Sequence, residues 1–524
     1  MSTARAVPTA KWQGWLTHTA LSLGHVAVLF NAGAYIAMLP RVAGSLGVAP
    51  SFGTWTQTDF MIALAIGFPL AGALSRRYGD ARVASGAYAA FALASLGCAL
   101  AEELAAFLAC RIVLGLSGGI ALPVSQKLAL GTVSERHKPL GLALWGLFAL
   151  TPFTVGTTLG GWLADEHGWR WLFWSNIPIA LLALQASIGS LPPSAPTAAT
   201  RLDWTGFLLV SGVLMGTQNL LNLGNDFDWL NADEVMVLTL ITGFCLPWAI
   251  LHLLRQPDAF VDLRVLRSRN VAIALLALSL GFLGFQGLLS LLIVQLQLLL
   301  GYSSKLAGMV FLPMLLLSKP ASIVAHQLSS RMDARWLASA SLFGFALTYF
   351  WISRYDQPAS FDQILWPKLA EGLCLGSLFA PLTVILLHGV AAAQQPRVME
   401  LVNLLRLASG AFGITLAGVV LYRRTPFHQS RFVERLTLLD PQTPAALERL
   451  IQQGFSPAAA EARLARTVTQ HAAIFAIDEA FWLAGWLFVG LGMLVWLAQP
   501  TRPVIRSQRA ENREVAFENL MEEP

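Results

Sequence analysis

A few ionisable side chains sit inside stretches that are otherwise apolar. They are Asp59 within Trp55-Thr-Gln-Thr-Asp59-Phe60, Arg111 at the head of Arg111-Ile-Val-Leu-Gly115, Lys319, Lys368 with Glu371, Glu400, Arg406, and Asp478 with Glu479. A charge in hydrocarbon is costly unless paired or hydrated, so such positions mark proton relays, ion paths or substrate contacts by default. A carboxyl such as Asp59 can take up and release a proton there, and a neighbouring guanidinium such as Arg111 would balance its charge. Lys368 and Glu371 stand three apart and share a helix face. They either satisfy one another or face a central cavity, where Lys319 and Lys368 would favour anionic or zwitterionic molecules. Arg406 is expected to line the same cavity, whereas Glu400 falls near a helix end.

Other chemistries lack their residues. There is no G-x-x-x-x-G-K-[ST] loop, no H-E-x-x-H and no plausible nucleophilic triad, so neither nucleotide nor hydrolytic chemistry is expected. Cys98, Cys110, Cys245 and Cys374 have no metal-ligand spacing and are read as packing residues, with no metal or cofactor implied. His25 is read the same way. The expected energy source is therefore an ion gradient.

The elements that must position these groups are membrane helices. Of 524 residues, 55% are hydrophobic and only 12% charged, against about 25% charged in soluble domains. Runs of ~20 apolar residues match a hydrocarbon core of ~30 Å, and only helices or closed barrels satisfy their backbone groups in lipid. Runs this long are helical, which makes this an all-α polytopic membrane protein. Fourteen spans are expected near residues 17–39, 52–74, 82–101, 104–126, 138–163, 168–191, 203–223, 232–254, 271–295, 304–328, 334–353, 361–387, 397–421 and 478–498. Alternate loops carry Arg76, Arg77 and Arg82, then Arg136 and Lys138, then Arg255, Arg264, Arg267 and Arg269, then Arg331 and Arg335. The other loops carry Glu102, Glu103, Asp165, Glu166, Asp226, Asp228 and Asp233. The positive-inside rule then places both termini in the cytoplasm, and it accounts for the net charge of +5 without nucleic acid.

The expected divisions are a cytoplasmic N-terminus (1–16), a six-helix bundle (17–191), an inserted hairpin (203–254), a second six-helix bundle (271–498) and a cytoplasmic tail (499–524). Residues 191–203 form a Pro/Ala/Thr-rich linker. Residues 422–477 form a polar outer loop, expected to hold two short helices within 444–469, broken near Gly454 and Pro457. That loop is either a solvated connector or a docking element. Trp145 and Phe148 of span 5 are candidates to meet a hydrophobic substrate.

Several segments resemble the major facilitator superfamily, specifically the fourteen-span drug:proton antiporter branch (the EmrB/QacA family). Gly53-Thr54-Trp55, Val261-Asp262-Leu263, Ser268-Arg269-Asn270, Gly301-Tyr302-Ser303 and the long outer loop carry the EmrB-like part. Gly72, Arg76, Arg77, Gly79 and Asp80 resemble the loop motif G-x-L-x-D-R-x-G-R-R, with Arg76 at the Asp position and Asp80 at a basic one, so its pairing should be rewired. Arg111 to Gly119 resembles the motif whose buried Arg serves proton coupling. Gly156-Thr157-Thr158-Leu159-Gly160-Gly161 resembles the antiporter motif G-P-x-x-G-G, with Thr157 at the Pro position and Pro152 one turn earlier. Asn31 stands where the branch has a span 1 Asp, so it is expected in the cavity while Asp59, with Arg111 and Glu371, takes over proton coupling.

The resemblance implies a major facilitator fold of two six-helix bundles plus a two-helix hairpin. It implies proton-driven export by alternating access, of drugs or related amphipathic molecules, from a bacterial inner membrane. It also implies a periplasmic adaptor of the EmrA type and an outer-membrane channel of the TolC type. Two alternatives stand beside it: export of an endogenous metabolite such as a siderophore, and a non-transporting receptor or scaffold with this fold.

Overall fold

Long apolar runs fold here into long helices, several of them continuing past an internal proline such as Pro69, Pro123 or Pro381, and no strand occurs among the described residues. The computed structural model of the protein describes residues 11–133, 137, 141, 155–189, 202–227, 229–355, 361–437 and 439–501. In order the helices are α1 (Lys11–Ser45), α2 (Pro50–Tyr78), α3 (Asp80–Leu100), α4 (Leu104–Thr132), α5 (155–166) and α6 (Trp171–Gly189). Then come α7 (Trp204–Asp226) and α8 (Asp233–Arg255). The remainder are α9 (Arg269–Val294), α10 (Ser304–Met309), α11 (Leu312–Ser329), α12 (Ala334–Ile352), α13 (Phe361–Leu387), α14 (Gln395–Arg435), α15 (Gln442–Gln452) and α16 (Pro457–Leu494). Among the described residues twelve helices are long and apolar enough to cross a membrane. The stretch α5 and the 19-residue α12 lie where spans 5 and 11 are expected but fall outside those twelve.

The pairings repeat. In the first part α2 packs on α4, α3 on α4 and α6, and α1 on α6; in the second α11 packs on α13, α12 on α13 and α16, and α9 on α16. Two seams join these parts, α2 against α14 and α5 against α10. The second seam needs small residues. Gly156 and Gly160 lay α5 on the α1 backbone at Phe30 to Ala34, while Gly161 meets the Ser304 carbonyl and Gly308 meets that of Thr157. A side chain at any of these would collide with backbone, which cannot step aside.

The inserted pair α7–α8 is tied at its base. Asp203 caps α7 by accepting from Gly206 N at 2.9 Å, and also accepts from His252 Nε2 at 2.8 Å and Phe260 N at 2.9 Å. Burial alone would push the Asp203 carboxyl up, but these donors outweigh it and hold it below the usual carboxylate range.

The outer segment departs from expectation. Instead of two short helices over the mouth, α14 continues to Arg435, α15 turns back, and α16 runs from Pro457 through to Leu494 without interruption. The break does fall at Gly454 (φ 97°), followed by Ser456, which caps α16 by accepting from Ala459 N. Beyond that cap no Pro or Gly ends the helix before the span, so the second short helix and the span are one rod. At ~1.5 Å per residue, the 41 residues of α14 and the 38 of α16 measure about 60 Å each, about twice a hydrocarbon core. Arg424 grips Glu479 with two hydrogen bonds (2.6 and 2.7 Å), and Phe432 meets Phe475 with ring centroids 5.4 Å apart. The two helices thus project together as a stalk.

Candidate functional site

Span 2 holds the polar run Thr54 to Asp59, too long for one helix face. In α2 each member has found a different environment. Arg111 of α4, fully buried, donates from Nε to the Thr56 carbonyl (3.0 Å), from Nη1 to Asn31 Oδ1 (2.7 Å) and from Nη2 to Gln57 Oε1 (2.7 Å). Its guanidinium carbon lies 3.9 Å from the Tyr35 ring centroid and 4.2 Å from that of Phe60. Tyr35 in turn donates to Thr56 Oγ1 at 2.6 Å, and Gln57 Nε2 donates to the Ala32 carbonyl. Every partner of this cation is a neutral dipole or a ring.

Asp59 is not among them. The expected direct balance between Asp59 and Arg111 is not made, because Asp59 lies two residues past Gln57, about 200° round the helix. It is 4% exposed, and its Oδ1 has no hydrogen-bond partner among the described residues. Thr58, one residue earlier, joins a buried polar knot. It accepts from Asn222 Nδ2 of α7 (3.3 Å), Gln218 Nε2 donates to Thr415 Oγ1 of α14 (2.7 Å), and Thr415 donates to Asn222 Oδ1 (2.9 Å). The inserted hairpin is thereby bonded to both sides of the α2–α14 seam. Asn219 instead bonds within its own helix, to the Met215 carbonyl.

In the second part Lys368 and Glu371 of α13 form a fully buried ion pair, and Tyr349 of α12 donates to Glu371 Oε1 at 3.1 Å. Lys368 also lies over the Phe311 ring at 5.0 Å. The charges answer one another, so Lys368 offers no spare cation to a cavity here. Lys319 lies half-buried on α11. Arg406 of α14 stands between Phe282 of α9 and Phe379 of α13, at 5.2 and 5.3 Å.

Polar ties join the two parts at both ends. At the near end, that of the Arg76 loop, Arg76 reaches Glu400 of α14 at 3.7 Å, while Asp80 pairs with Lys127 of α4 at 2.6 Å. Gly72 is bare where Glu400 packs against it. Arg397 bridges Asp258 and Asp262 (3.5 and 3.6 Å). Asp262 would be raised by burial, yet hydrogen bonds from Arg264 and that guanidinium's charge keep it low. At the far end Gln297, in a π turn closing α9, donates to the Ala37 carbonyl (2.8 Å), Thr158 Oγ1 donates to the Gly308 carbonyl (2.8 Å), and Lys305 N donates to Asp165 Oδ2 (2.8 Å).

Trp145, Phe148 and Pro152 lie outside the described residues. Sequence reasoning did not single out Tyr35, Gln57, Gln218, Tyr349 or Thr415. The polar run in span 2 was the available signal for Gln57. The tyrosines had none, since one hydroxyl in an apolar span looks like any packing aromatic.

Comparison with known proteins fits this geometry. The profile described as Major Facilitator Superfamily matches residues 21–414. The chain is 32% identical to the fatty acid resistance protein FarB of Neisseria gonorrhoeae, over 93% of this chain and 96% of that protein. It is 28% identical to the multidrug export protein EmrB of Escherichia coli (strain K12), over 92% and 94% respectively. Among solved structures, a bacterial homologue of the human lysosomal transporter Spinster superposes with a TM-score of 0.61 at 12% identity, covering 93% of this chain and 97% of that one. The E. coli xylose transporter XylE gives 0.55 at 13% identity, covering 94% and 99%. At such identities the structural likeness speaks to the fold alone.

Proposed function

The chain belongs to the major facilitator superfamily, and from that premise we propose that it is a proton-coupled exporter of amphipathic small molecules with Asp59 as a proton carrier. The observation that carries this reading is the orphaned oxygen of Asp59, a buried carboxyl with nothing to hold it ionised or protonated for good. Such a group can load and discharge as the two seams alternate. Arg111 cannot serve as its fixed counter-charge, being committed to Asn31, Gln57 and Thr56. Its role is to hold α1, α2 and α4 together beside the carrier. Glu371, held by Lys368 and Tyr349, is the second proton-coupling candidate.

Fourteen spans follow if α5 and α12 cross with the twelve helices counted above. Positive loops then put the near end and both termini in the cytoplasm of the inner membrane, with the stalk on the periplasmic side. The full-length similarity to EmrB and the projecting stalk support a periplasmic adaptor of the EmrA type with an outer-membrane channel of the TolC type beyond.

The test is dye efflux from proteoliposomes under an imposed pH gradient. Asp59→Asn should reduce gradient-driven efflux at least tenfold while gradient-independent exchange of the same dye persists. Efflux equal to wild type would remove Asp59 from the coupling path.

A further inference from the structure

Among the described residues Arg111 and Lys368 are fully buried cations, and Arg406 is a partly buried one. Arg111 meets neutral oxygens and rings, and Lys368 meets Glu371. Arg406, mid-way along the crossing part of α14, lies between two rings but meets only one neutral oxygen among the described residues. Its Nη2 donates to Asn403 Oδ1 one turn back at 3.1 Å, its Nε is buried with no hydrogen-bond partner, and no carboxylate pairs with it among the described residues. A guanidinium carries five donors in a planar fork, and most of this fork has no acceptor among the described residues.

Beside it is a second orphan. Gln286 of α9, one turn on from Phe282, is 1% exposed, and neither its amide nitrogen nor its amide oxygen has a partner among the described residues. A methyl group on Gly410, one turn on from Arg406, would touch the Gln286 stem at 3.2 Å and Met61 of α2 at 3.2 Å. Arg406 and Gln286 therefore sit on facing surfaces of α9 and α14, at the seam with α2. A buried amide and a partly buried guanidinium whose Nε is buried and unmet are both unfavourable. A carboxylate would accept from both the guanidinium fork and Gln286 Nε2, since it only accepts hydrogen bonds and matches the fork. The Phe282 and Phe379 rings flanking Arg406 suit an apolar chain attached to it.

We propose that Arg406 and Gln286 form a head-group subsite for the carboxylate of an amphipathic substrate, with the hydrocarbon tail against Phe282 and Phe379. This rests on the reading of the chain as an exporter. It moves the anion-binding charge from Lys368, which Glu371 neutralises, to Arg406.

The test is equilibrium binding of radiolabelled decanoate to the full-length protein in nanodiscs, with empty discs subtracted and with decanol and decyltrimethylammonium as competitors. Saturable decanoate binding is expected, displaced by neither competitor at tenfold higher concentration. Arg406→Gln should weaken it about tenfold or more, the loss typical of a charge-assisted contact. Arg406→Lys should weaken it less, and Gln286→Leu several-fold. Equal binding by wild type and Arg406→Gln, equal competition by decanol, or no saturable decanoate binding by wild type would each overturn the proposal. If Arg406→Gln fails to fold, Gln286→Leu decides by the same criterion, with unchanged affinity counting against the subsite. Efflux of a cationic dye under a pH gradient is measured on the same preparations. Failure of wild-type efflux would sink the exporter reading while leaving the binding result to stand or fall alone.

Discussion

Lys368 and Glu371 show what a single buried pair can and cannot be asked to do. Their charges cancel in a site that Tyr349 completes, so each is held chiefly by the other. Removing one partner of such a pair strands a charge, at a cost of about 3–5 kcal/mol, whereas replacing both with apolar residues of similar size is close to neutral. Lys368→Met alone should therefore lower the unfolding temperature of the detergent-solubilised protein sharply, and Lys368→Met with Glu371→Leu should restore most of it. Additive losses in the double variant would mean that the two charges do not depend on one another. The i, i+3 spacing made the pair legible in the sequence, as the run Thr56 to Asp59 did for the opposite bundle. The sequence could not say which face of α2 turns to Arg111. Asp59 and Gln57 are neighbours on paper and lie on nearly opposite sides of the helix.

At the scale of elements, helix existence was easy to read and helix termination was not. Apolar length marks a span, but nothing in the composition of residues 457–477 tells an independent helix from the first turns of α16. Only Ser456 and Gly454 mark the boundary, and they mark where the rod begins rather than where the membrane does. Likewise the rewired loop motif announced new pairings. That Arg76 would find Glu400, more than three hundred residues away, depends on how α14 lies on α2. The α7–α8 hairpin carries its own prediction. Asp203 is held below its ordinary value when folded, so its contribution to stability is present above the unfolded carboxylate value of about 4 and is lost as pH falls through the lower folded value. Thermal unfolding should show Asp203→Asn less stable than wild type at pH 6, with the gap closing on acidification below about pH 4. A pH-independent gap would show that the carboxyl acts only by shape.

For the whole molecule, the two related parts are fastened to one another at both ends, by Arg76 with Glu400 at one and by Thr158 with Gly308 and Gln297 with Ala37 at the other. In the proposed alternating-access cycle these fastenings must be broken and made in turn, and the knot from Thr58 through Asn222 to Thr415 would tie the hairpin to that sequence. The stalk is expected to matter to a partner and not to the fold. Replacing residues 436–456 by a short Gly-Ser turn should leave proteoliposome efflux within about twofold of wild type while cells lose resistance that depends on crossing the outer membrane. Undiminished resistance in cells would dismiss the stalk as an adaptor contact. The continuity of α14 has one more result. Glu400 at the near end and Arg435 at the stalk end belong to one helix, splinted by Arg424 and Glu479 just before Pro426. Such a helix is a lever about 60 Å long, and a tilt of roughly 10° about its middle sweeps the tip by about 5 Å. Whatever rests on that tip can feel whether the clasp at the opposite face is shut.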